Sequence, residues 1–273
     1  MKISIPKKIH YCWFGGNKLN ELGKKCINSW KKYCPEYEII EWNDKNFDFS
    51  CNKYVQEAYK AKKWAFVSDY VRLYVIYKYG GIYMDTDVEV VKNLDKFLKY
   101  ESFSGFESTK YIPTGIMGGE KNSRWIKYLL SYYDNKSFIN EDGTLDTTTN
   151  VITITNMTKE KYNLRLDNSF QLLNEEVALF PSEFFCPKDY ETEKINITKN
   201  THTIHHFSGS WQSDEQRRIQ EKKKKYTKIF GKGIGNLVYD FYYIKYKIKN
   251  VGIKKSFKAI IKRLSIKCGI GKS

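Results

Sequence analysis

The sequence lacks the features that mark several common classes of protein. Its six cysteines form no Cys-x-x-Cys pair, which argues against a zinc ribbon. No run of about 18 apolar residues occurs, so we expect no membrane-spanning helix. The first residues lack the apolar stretch of a secretory signal. We therefore expect a cytoplasmic protein with reduced thiols.

Acidic residues are nearly absent from the C-terminal part of the chain. The formal net charge is +16, yet residues 222–273 hold 16 lysines and arginines against one acid, Asp240. The remaining 31 basic and 30 acidic residues leave residues 1–221 close to neutral. We therefore divide the chain into a globular domain, residues 1–221, and a basic helical tail, residues 222–273.

The basic tail also has an apolar face. Lysines and arginines occupy the opposite face, and the apolar positions recur at helical spacing: Ile253, Phe257, Ile260, Ile261, Leu264 and Cys268. This pattern is typical of a helix that lies in a membrane interface. We expect the tail to hold the protein peripherally on the inner face of an anionic membrane; a helix packed on the globular domain is the alternative. The globular domain has no nucleic-acid-binding motif, so we expect no nucleic-acid partner.

One stretch, residues 64–91, organises the globular domain. Residues 65–79 are almost all apolar, which predicts a buried helix. Asp69 and Arg72 are three residues apart and would share one face of that helix. The glycines at 80–81 predict its end, because glycine readily adopts the left-handed conformation found there.

Two carboxylates follow this helix directly. Residues 82–84 predict a short buried strand, which ends in Asp85 and Asp87. Side chains two residues apart in an extended chain point to the same side. Such a pair forms a hard oxygen site that suits Mg²⁺ or Mn²⁺ carrying phosphates. An isolated Asp-x-Asp is more often a solvated turn, so this interpretation depends on the surrounding array.

The whole array resembles the DxD glycosyltransferases of family 32, which include yeast initiating mannosyltransferases and bacterial capsule enzymes. It also looks like the catalytic domain of the large clostridial glucosylating toxins. The matching positions are Ser68, Asp69, Arg72, Gly80, Gly81, Tyr83, Asp85 and Asp87. The haloacid-dehalogenase-like phosphatases, a rival DxD family, have Thr or Val where this chain has Glu89.

The resemblance implies an α/β fold of the GT-A type, a nucleotide-sugar-binding mixed sheet flanked by helices. It implies transfer of a sugar, with retention at the anomeric carbon, from a nucleotide-sugar to a saccharide acceptor. We favour a UDP-sugar over a GDP-sugar and a lipid-linked acceptor, in the synthesis of a bacterial surface polysaccharide. A toxin-like protein glycosyltransferase and a non-catalytic protein that binds lipid or nucleic acid are the alternatives.

The resemblance also assigns roles to individual residues. Asp85 and Asp87 would hold Mn²⁺ or Mg²⁺, and Arg72 would act on the donor phosphate or sugar. The other donor-binding positions are Asp69 and Tyr83 from the same stretch, and Tyr11, Trp13 and Gly15 from a first strand and glycine turn.

A second informative stretch, residues 201–211, contains three of the four histidines of the chain. The resemblance implies a closing loop with a metal ligand, a serine and a tryptophan over the diphosphate. In the resembled family the ligand lies five residues before the tryptophan, and that position is His206 here. The choice between His205 and His206 stays open. The serine is Ser208 or Ser210.

The remaining elements follow from hydrophobic periodicity and glycine positions. We expect helices at 19–32, 54–63, 125–133 and 214–230, the last ended by glycines at 231–235. We expect strands at 8–14, 37–42, 103–107, 147–158 and 177–181. Residues 113–119, with three glycines, are predicted to form a flexible crossing.

Overall fold

Two compact units make up the protein, whose computed structural model describes residues 4–112, 115–209 and 214–251. The first unit is Met1–Lys188 with Ile195–Ser208, and the second is Asp189–Lys194 with Gly209–Ser273. Among the described residues, no helix is long and apolar enough to cross a bilayer. The domain boundary after residue 221 stays a prediction.

A seven-stranded mixed sheet, in the order β2-β1-β3-β6-β5-β8-β7, forms the centre of the first unit. Strands β4 and β9 form a separate antiparallel pair. The strands are β1 (Lys8–Cys12), β2 (Glu38–Trp42), β3 (Gly81–Met84), β4 (Val88–Val90), β5 (Ser102–Gly105), β6 (Ile116–Gly119), β7 (Gln171–Leu173), β8 (Val177–Phe180) and β9 (Thr203–His205).

Helices cover both faces of this sheet. They are α1 (Glu21–Tyr33), α2 (Lys53–Lys60), α3 (Trp64–Tyr79), α4 (Arg124–Leu130), α5 (Asn150–Tyr162) and the short α6 (Ser182–Phe185). Alternate residues of β3 belong to two separate apolar clusters: Tyr83 packs in one, and Ile82 and Met84 in the other. This alternation shows that the sheet is buried on both faces. The predicted α/β fold, a mixed sheet flanked by helices, is therefore confirmed.

The sheet order brings the ends of several strands to one edge. Strands β1 and β3 are parallel neighbours, so both end at this edge. Strand β6 runs antiparallel to β3 and begins there, where the N–H of Asp85 donates to the carbonyl of Gly115 at 2.8 Å. Strand β5 is antiparallel to β6, so Glu107 follows β5 at the same edge. Ligands of open α/β sheets bind beyond the carboxyl ends of their strands.

Helix α3 has the predicted bounds to within one residue. Seven of its residues are buried, and its C-cap glycine, Gly80, has φ 66°, where a side chain would be strained. The N–H of Gly80 donates to the carbonyl of Ile76 at 2.8 Å and closes the last turn. The chain can therefore enter β3 immediately, which fixes Asp85 relative to Arg72.

Two sequence predictions are wrong. Residues 147–158 were expected to be a strand, but they contribute to helix α5. Its buried positions Thr153, Ile154 and Thr158 follow a helical period, and burial of this face outweighs the weak β propensity of threonine. The expected crossing at 113–119 contains the central strand β6; Pro113 and Thr114 lie outside the described residues.

The second unit contains helix α7 (Asp214–Val251), which is interrupted at Gly231 with φ 83° and ψ 170°. The predicted break at the glycines is confirmed. Lys222 Nζ lies 3.7 Å from the ring centre of Tyr242, and Lys249 Nζ lies 3.6 Å from Glu215 Oε1. These contacts join residues distant along the chain, so the two arms of α7 form an antiparallel hairpin. The apolar positions predicted at 253–268 lie outside the described residues.

Candidate active site

Arg72 is the centre of a buried charged cluster between α3 and the end of β3. Its side chain is 6% exposed, and Nη2 lies 3.3 Å from Asp69 Oδ1 and 3.1 Å from Asp85 Oδ1. The guanidinium lies 4.6 Å from the ring centre of Tyr83, whose hydroxyl donates to Asp85 Oδ1 at 3.0 Å. The structure thus brings together four of the predicted site residues, as their spacing on the helix and strand requires.

Burial favours the protonated forms of the two aspartates that contact Arg72. It raises the pKa of Asp69 to about 6, although Arg72 acts in the opposite direction. It also raises the pKa of Asp85, assisted by the neighbouring charge of Asp87 and opposed by Arg72. Excess negative charge at this strand end is therefore costly, which is the condition that favours a bound cation.

His205 joins the two aspartates through the pairing of β4 with β9, where it lies opposite Val88. Its Nε2 lies 3.4 Å from Asp87 Oδ1. Asp85, Asp87 and His205 can each offer one ligand atom, and these atoms lie within 4.8 Å of one another. Two carboxylates and an imidazole are a suitable donor set for a divalent cation.

A second observation supports this fit. His205 Nδ1 is buried and has no hydrogen-bond partner of normal geometry within the part of the chain that the structure describes, although the thiol of Cys186 interacts with the same ring and helps to raise its pKa. A Cβ at Gly115 would lie 3.0 Å from this atom, so a side chain there would crowd the ring. Burial lowers the pKa of His205, but the charge and hydrogen bond of Asp87 outweigh it and raise the pKa well above the usual value. A cation would replace that proton.

His206, the predicted metal ligand, lies elsewhere. Its Nε2 is 2.8 Å from Glu89 Oε2, and Lys25 Nζ contacts the same carboxylate oxygen at 2.8 Å. Consecutive side chains at the end of a strand point to opposite sides, so only one of the two histidines can face Asp87. The structure thus places His205, not the predicted His206, beside the two aspartates, and ligation of a metal by either histidine stays a prediction. The backbone N–H of His206 donates to the carbonyl of Asp87 at 3.0 Å, which joins the loop to Asp87.

The closing loop is described as far as Gly209. The backbone N–H of Ser208 donates to Asp87 Oδ2 at 2.8 Å. Burial acts to raise the pKa of Asp87, but His205 and Ser208 hold it below its ordinary range. The donor-binding role of Ser208 stays a prediction, and Ser210 and Trp211 lie outside the described residues.

The three positions near β1 differ in their surroundings. The hydroxyl of Tyr11 donates to Glu41 at 2.6 Å and its ring packs edge-on against Trp30, so its contacts are those of a core residue. Trp13 and Gly15 follow β1 at the same sheet edge as Asp85. Trp13 Nε1 donates to the carbonyl of Asn17 at 2.6 Å. The donor-binding roles of all three stay predictions.

Two polar residues at this edge were missed from the sequence. Glu107 is partly buried, which raises its pKa, while His205 acts to lower it and Asp85 adds to the rise. Asn150 is 4% exposed, and its Nδ2 lies 3.5 Å from the carbonyl of Asp69. Its Oδ1 has no hydrogen-bond partner among the described residues. Correct assignment of β6 and α5 would have placed both residues at the edge.

Residues 20–104 match a family model described as "Glycosyltransferase sugar-binding region containing DXD motif". This part of the chain is similar to the sugar-binding region of DXD glycosyltransferases. The match includes Asp69, Arg72, Asp85 and Asp87, and it confirms the recognition of a DXD glycosyltransferase.

Proteins named as glycosyltransferases are similar to part of this chain. The chain is 32% identical over 130 residues to inositol phosphoceramide mannosyltransferase 3 of Schizosaccharomyces pombe, which covers 43% of this chain and 34% of that protein. It is 40% identical over 58 residues to human alpha-1,4-N-acetylglucosaminyltransferase, which covers 21% of this chain and 16% of that protein. The match to the mannosyltransferase thus spans about a third of that protein's length.

Solved structures with a related shape include the PaToxG glycosyltransferase. It has a TM-score of 0.44 and 20% identity, and the alignment covers 57% of this chain and 70% of that one.

Proposed function

We propose that this chain transfers a sugar from a nucleotide-sugar donor to a hydroxyl of a saccharide acceptor, assisted by a divalent cation at Asp85, Asp87 and His205. The observation that carries the proposal is the placement of these three ligands beside the buried Arg72 at the end of β3. A cation bound there would neutralise the charge that develops on a departing diphosphate.

The side chains around the cation site have distinct parts in this proposal. Arg72 orients the donor from the side of α3, because its guanidinium is fixed by Asp69 and Asp85. Asp69 accepts a hydrogen bond from a ribose or sugar hydroxyl. Trp13 and Gly15 lie on the β1 side of the edge and would border the nucleoside. The backbone amide of Ser208 keeps Asp87 oriented.

The stereochemical course that we propose is retention, by front-face displacement assisted by the leaving phosphate. Its support is the resemblance to the retaining families and the lack of an evident protein nucleophile in the motifs of the sequence. Binding energy used for alignment of donor and acceptor would supply much of the rate.

The acceptor and donor that we propose are a lipid-linked saccharide and a UDP-sugar, with a GDP-sugar as the alternative. Two relatives bear the name inositol phosphoceramide mannosyltransferase, which supports an acceptor attached to a lipid. We propose synthesis of a capsular or other bacterial surface polysaccharide as the setting. Glycosylation of a protein, as by the toxin-like enzymes, is the second candidate.

We further propose that the protein acts in the cytoplasm, peripherally on the inner face of the membrane. The support is the concentration of positive charge in residues 222–273, since anionic lipids attract such segments.

The test is a thermal-shift screen of UDP- and GDP-sugars with and without Mn²⁺. We expect at least one nucleotide-sugar to raise the melting temperature of the full chain only when Mn²⁺ is present. Asp87→Ala should remove this response, whereas Asp167→Ala, at an exposed aspartate, should retain it. A parent protein that responds to no nucleotide-sugar would contradict the proposed function.

A further inference from the structure

The hairpin of the second unit has one side with exposed apolar side chains. We define the apolar stripe as Ile234, Leu237, Phe241 and Ile248 on the second arm of α7. Their exposed fractions are 43%, 68%, 54% and 40%. At 100° per residue, these four positions fall within about 60° of one another around the helix. Isolated exposed apolar residues are ordinary in soluble proteins, but an aligned set marks an interaction surface.

The contacts between the two arms that the described residues show lie away from the stripe. The first arm contacts a different side of the second arm, where Lys222 and Lys223 lie over the rings of Tyr242 and Tyr239. Around the helix, these tyrosines lie at least about 80° from every stripe position. Replacement of stripe residues should therefore leave the hairpin folded.

The charge around the stripe limits what can cover it. Residues 214–251 hold 11 lysines and arginines against four acidic residues. A second copy of the chain would bring a surface of the same charge against it. The chain's own residues 252–273, with seven basic residues and no acid, are disfavoured for the same reason. Nucleic acid would suit the charge but not the apolar side chains.

An anionic lipid surface satisfies both properties. Lysines attract lipid headgroups, while apolar side chains enter the boundary between headgroups and acyl chains. Lys245 lies beside the stripe, with its Nζ 4.5 Å from the ring centre of Phe241. Lys225 is exposed on the first arm, whereas Lys228 and Lys232 are exposed but paired with Glu193 and Glu191.

We propose that the apolar stripe of α7 is a docking surface for anionic lipid. The proposal deepens the peripheral membrane association proposed above, since it names the side chains that would enter the interface. It also moves the docking surface upstream of the helical pattern at 253–268.

The experiment is co-sedimentation of the full chain with vesicles of phosphatidylcholine, with and without phosphatidylglycerol. The double variant Leu237→Ser/Phe241→Ser removes the centre of the stripe. The matched control is Leu172→Ser/Ile197→Ser, two exposed apolar residues of the first unit at 49% and 62%. Loss of apolar burial should lower affinity for anionic vesicles roughly tenfold for each stripe residue. The control should bind like the parent, and the parent should not bind pure phosphatidylcholine.

Donor hydrolysis in the absence of vesicles, measured on the same preparations, separates this proposal from the proposed function. The stripe variant should retain the parent's hydrolysis rate. Equal sedimentation of the stripe variant and the parent would overturn the docking proposal while leaving the function intact. Gel filtration in which the parent elutes as a dimer and the stripe variant as a monomer would also overturn it, because the stripe would then be a contact between copies.

Discussion

Replacement of His205 should weaken metal binding far more than replacement of His206. His205 Nε2 lies 3.4 Å from Asp87 Oδ1, and its Nδ1 is buried with no hydrogen-bond partner of normal geometry among the described residues, whereas His206 Nε2 lies 2.8 Å from Glu89 Oε2. His205→Gln would remove one of three ligands. Loss of an outer partner of a ligand typically costs about 10–100-fold in metal affinity, and loss of a ligand should cost at least as much. This corresponds to about 1.4–2.7 kcal/mol.

The assay is calorimetric titration of Mn²⁺ into the parent, His205→Gln and His206→Gln. The second variant keeps both aspartates and His205 in place, so its Mn²⁺ affinity should change little. Thermal melting without metal shows whether either variant is misfolded, because His205 lies against Gly115 in a tightly packed position. If His206→Gln loses as much affinity as His205→Gln while both melt like the parent, the assignment of the ligand is wrong.

Three further predictions address the surroundings of the site. Arg72→Lys should lower donor affinity measured by the thermal-shift titration, because lysine cannot contact both flanking carboxylates as the planar guanidinium does; unchanged affinity would make the arginine purely structural. Gly118→Ala should lower the free energy of unfolding by about 1–3 kcal/mol, since its Cβ would lie 2.2 Å from Phe103, while Gly233→Ala, with open space, should not; denaturant melts compare the two. The folded-state pKa of Asp69, about 6, exceeds the unfolded value of 3.8, so its protonation contributes stability that is lost as pH rises from about 4 to about 6; Asp69→Asn should therefore gain stability relative to the parent over that window and no more above it, and a difference in melting temperature that is constant across the window would refute this.

The central helix, the strand and the Asp85–Asp87 pair could be predicted because each follows from local sequence. The apolar run of α3, the glycine at its end and the three-residue spacing of Asp69 and Arg72 act over short distances. Family resemblance could add roles to these positions, because the whole array lies within about 30 residues.

The errors arose where distant contacts decide the structure. Thr155 and Thr158 are buried in α5 because their hydroxyls bond Ile112 N–H and Trp125 Nε1, which no local propensity reveals. Gly118 stands in a central strand, paired with β3 and β5, and the ring of Phe103 occupies the space that a side chain would need there.

The choice between His205 and His206 likewise depended on strand register. The pairing of β4 with β9 sets which histidine faces Asp87, and this pairing joins residues more than a hundred positions apart. Spacing counted from Trp211 could not supply that register.

The most direct test of the account is release of nucleoside diphosphate from the nucleotide-sugar that gives the largest thermal shift. Release is measured for the parent and for Asp87→Ala, with Mn²⁺ and with a chelator. We predict release by the parent only with Mn²⁺, and a rate at least about 10³-fold lower for a correctly folded Asp87→Ala protein. Release that is unchanged by the chelator, or near-normal release by Asp87→Ala, would contradict catalysis at the Asp85–Asp87–His205 site.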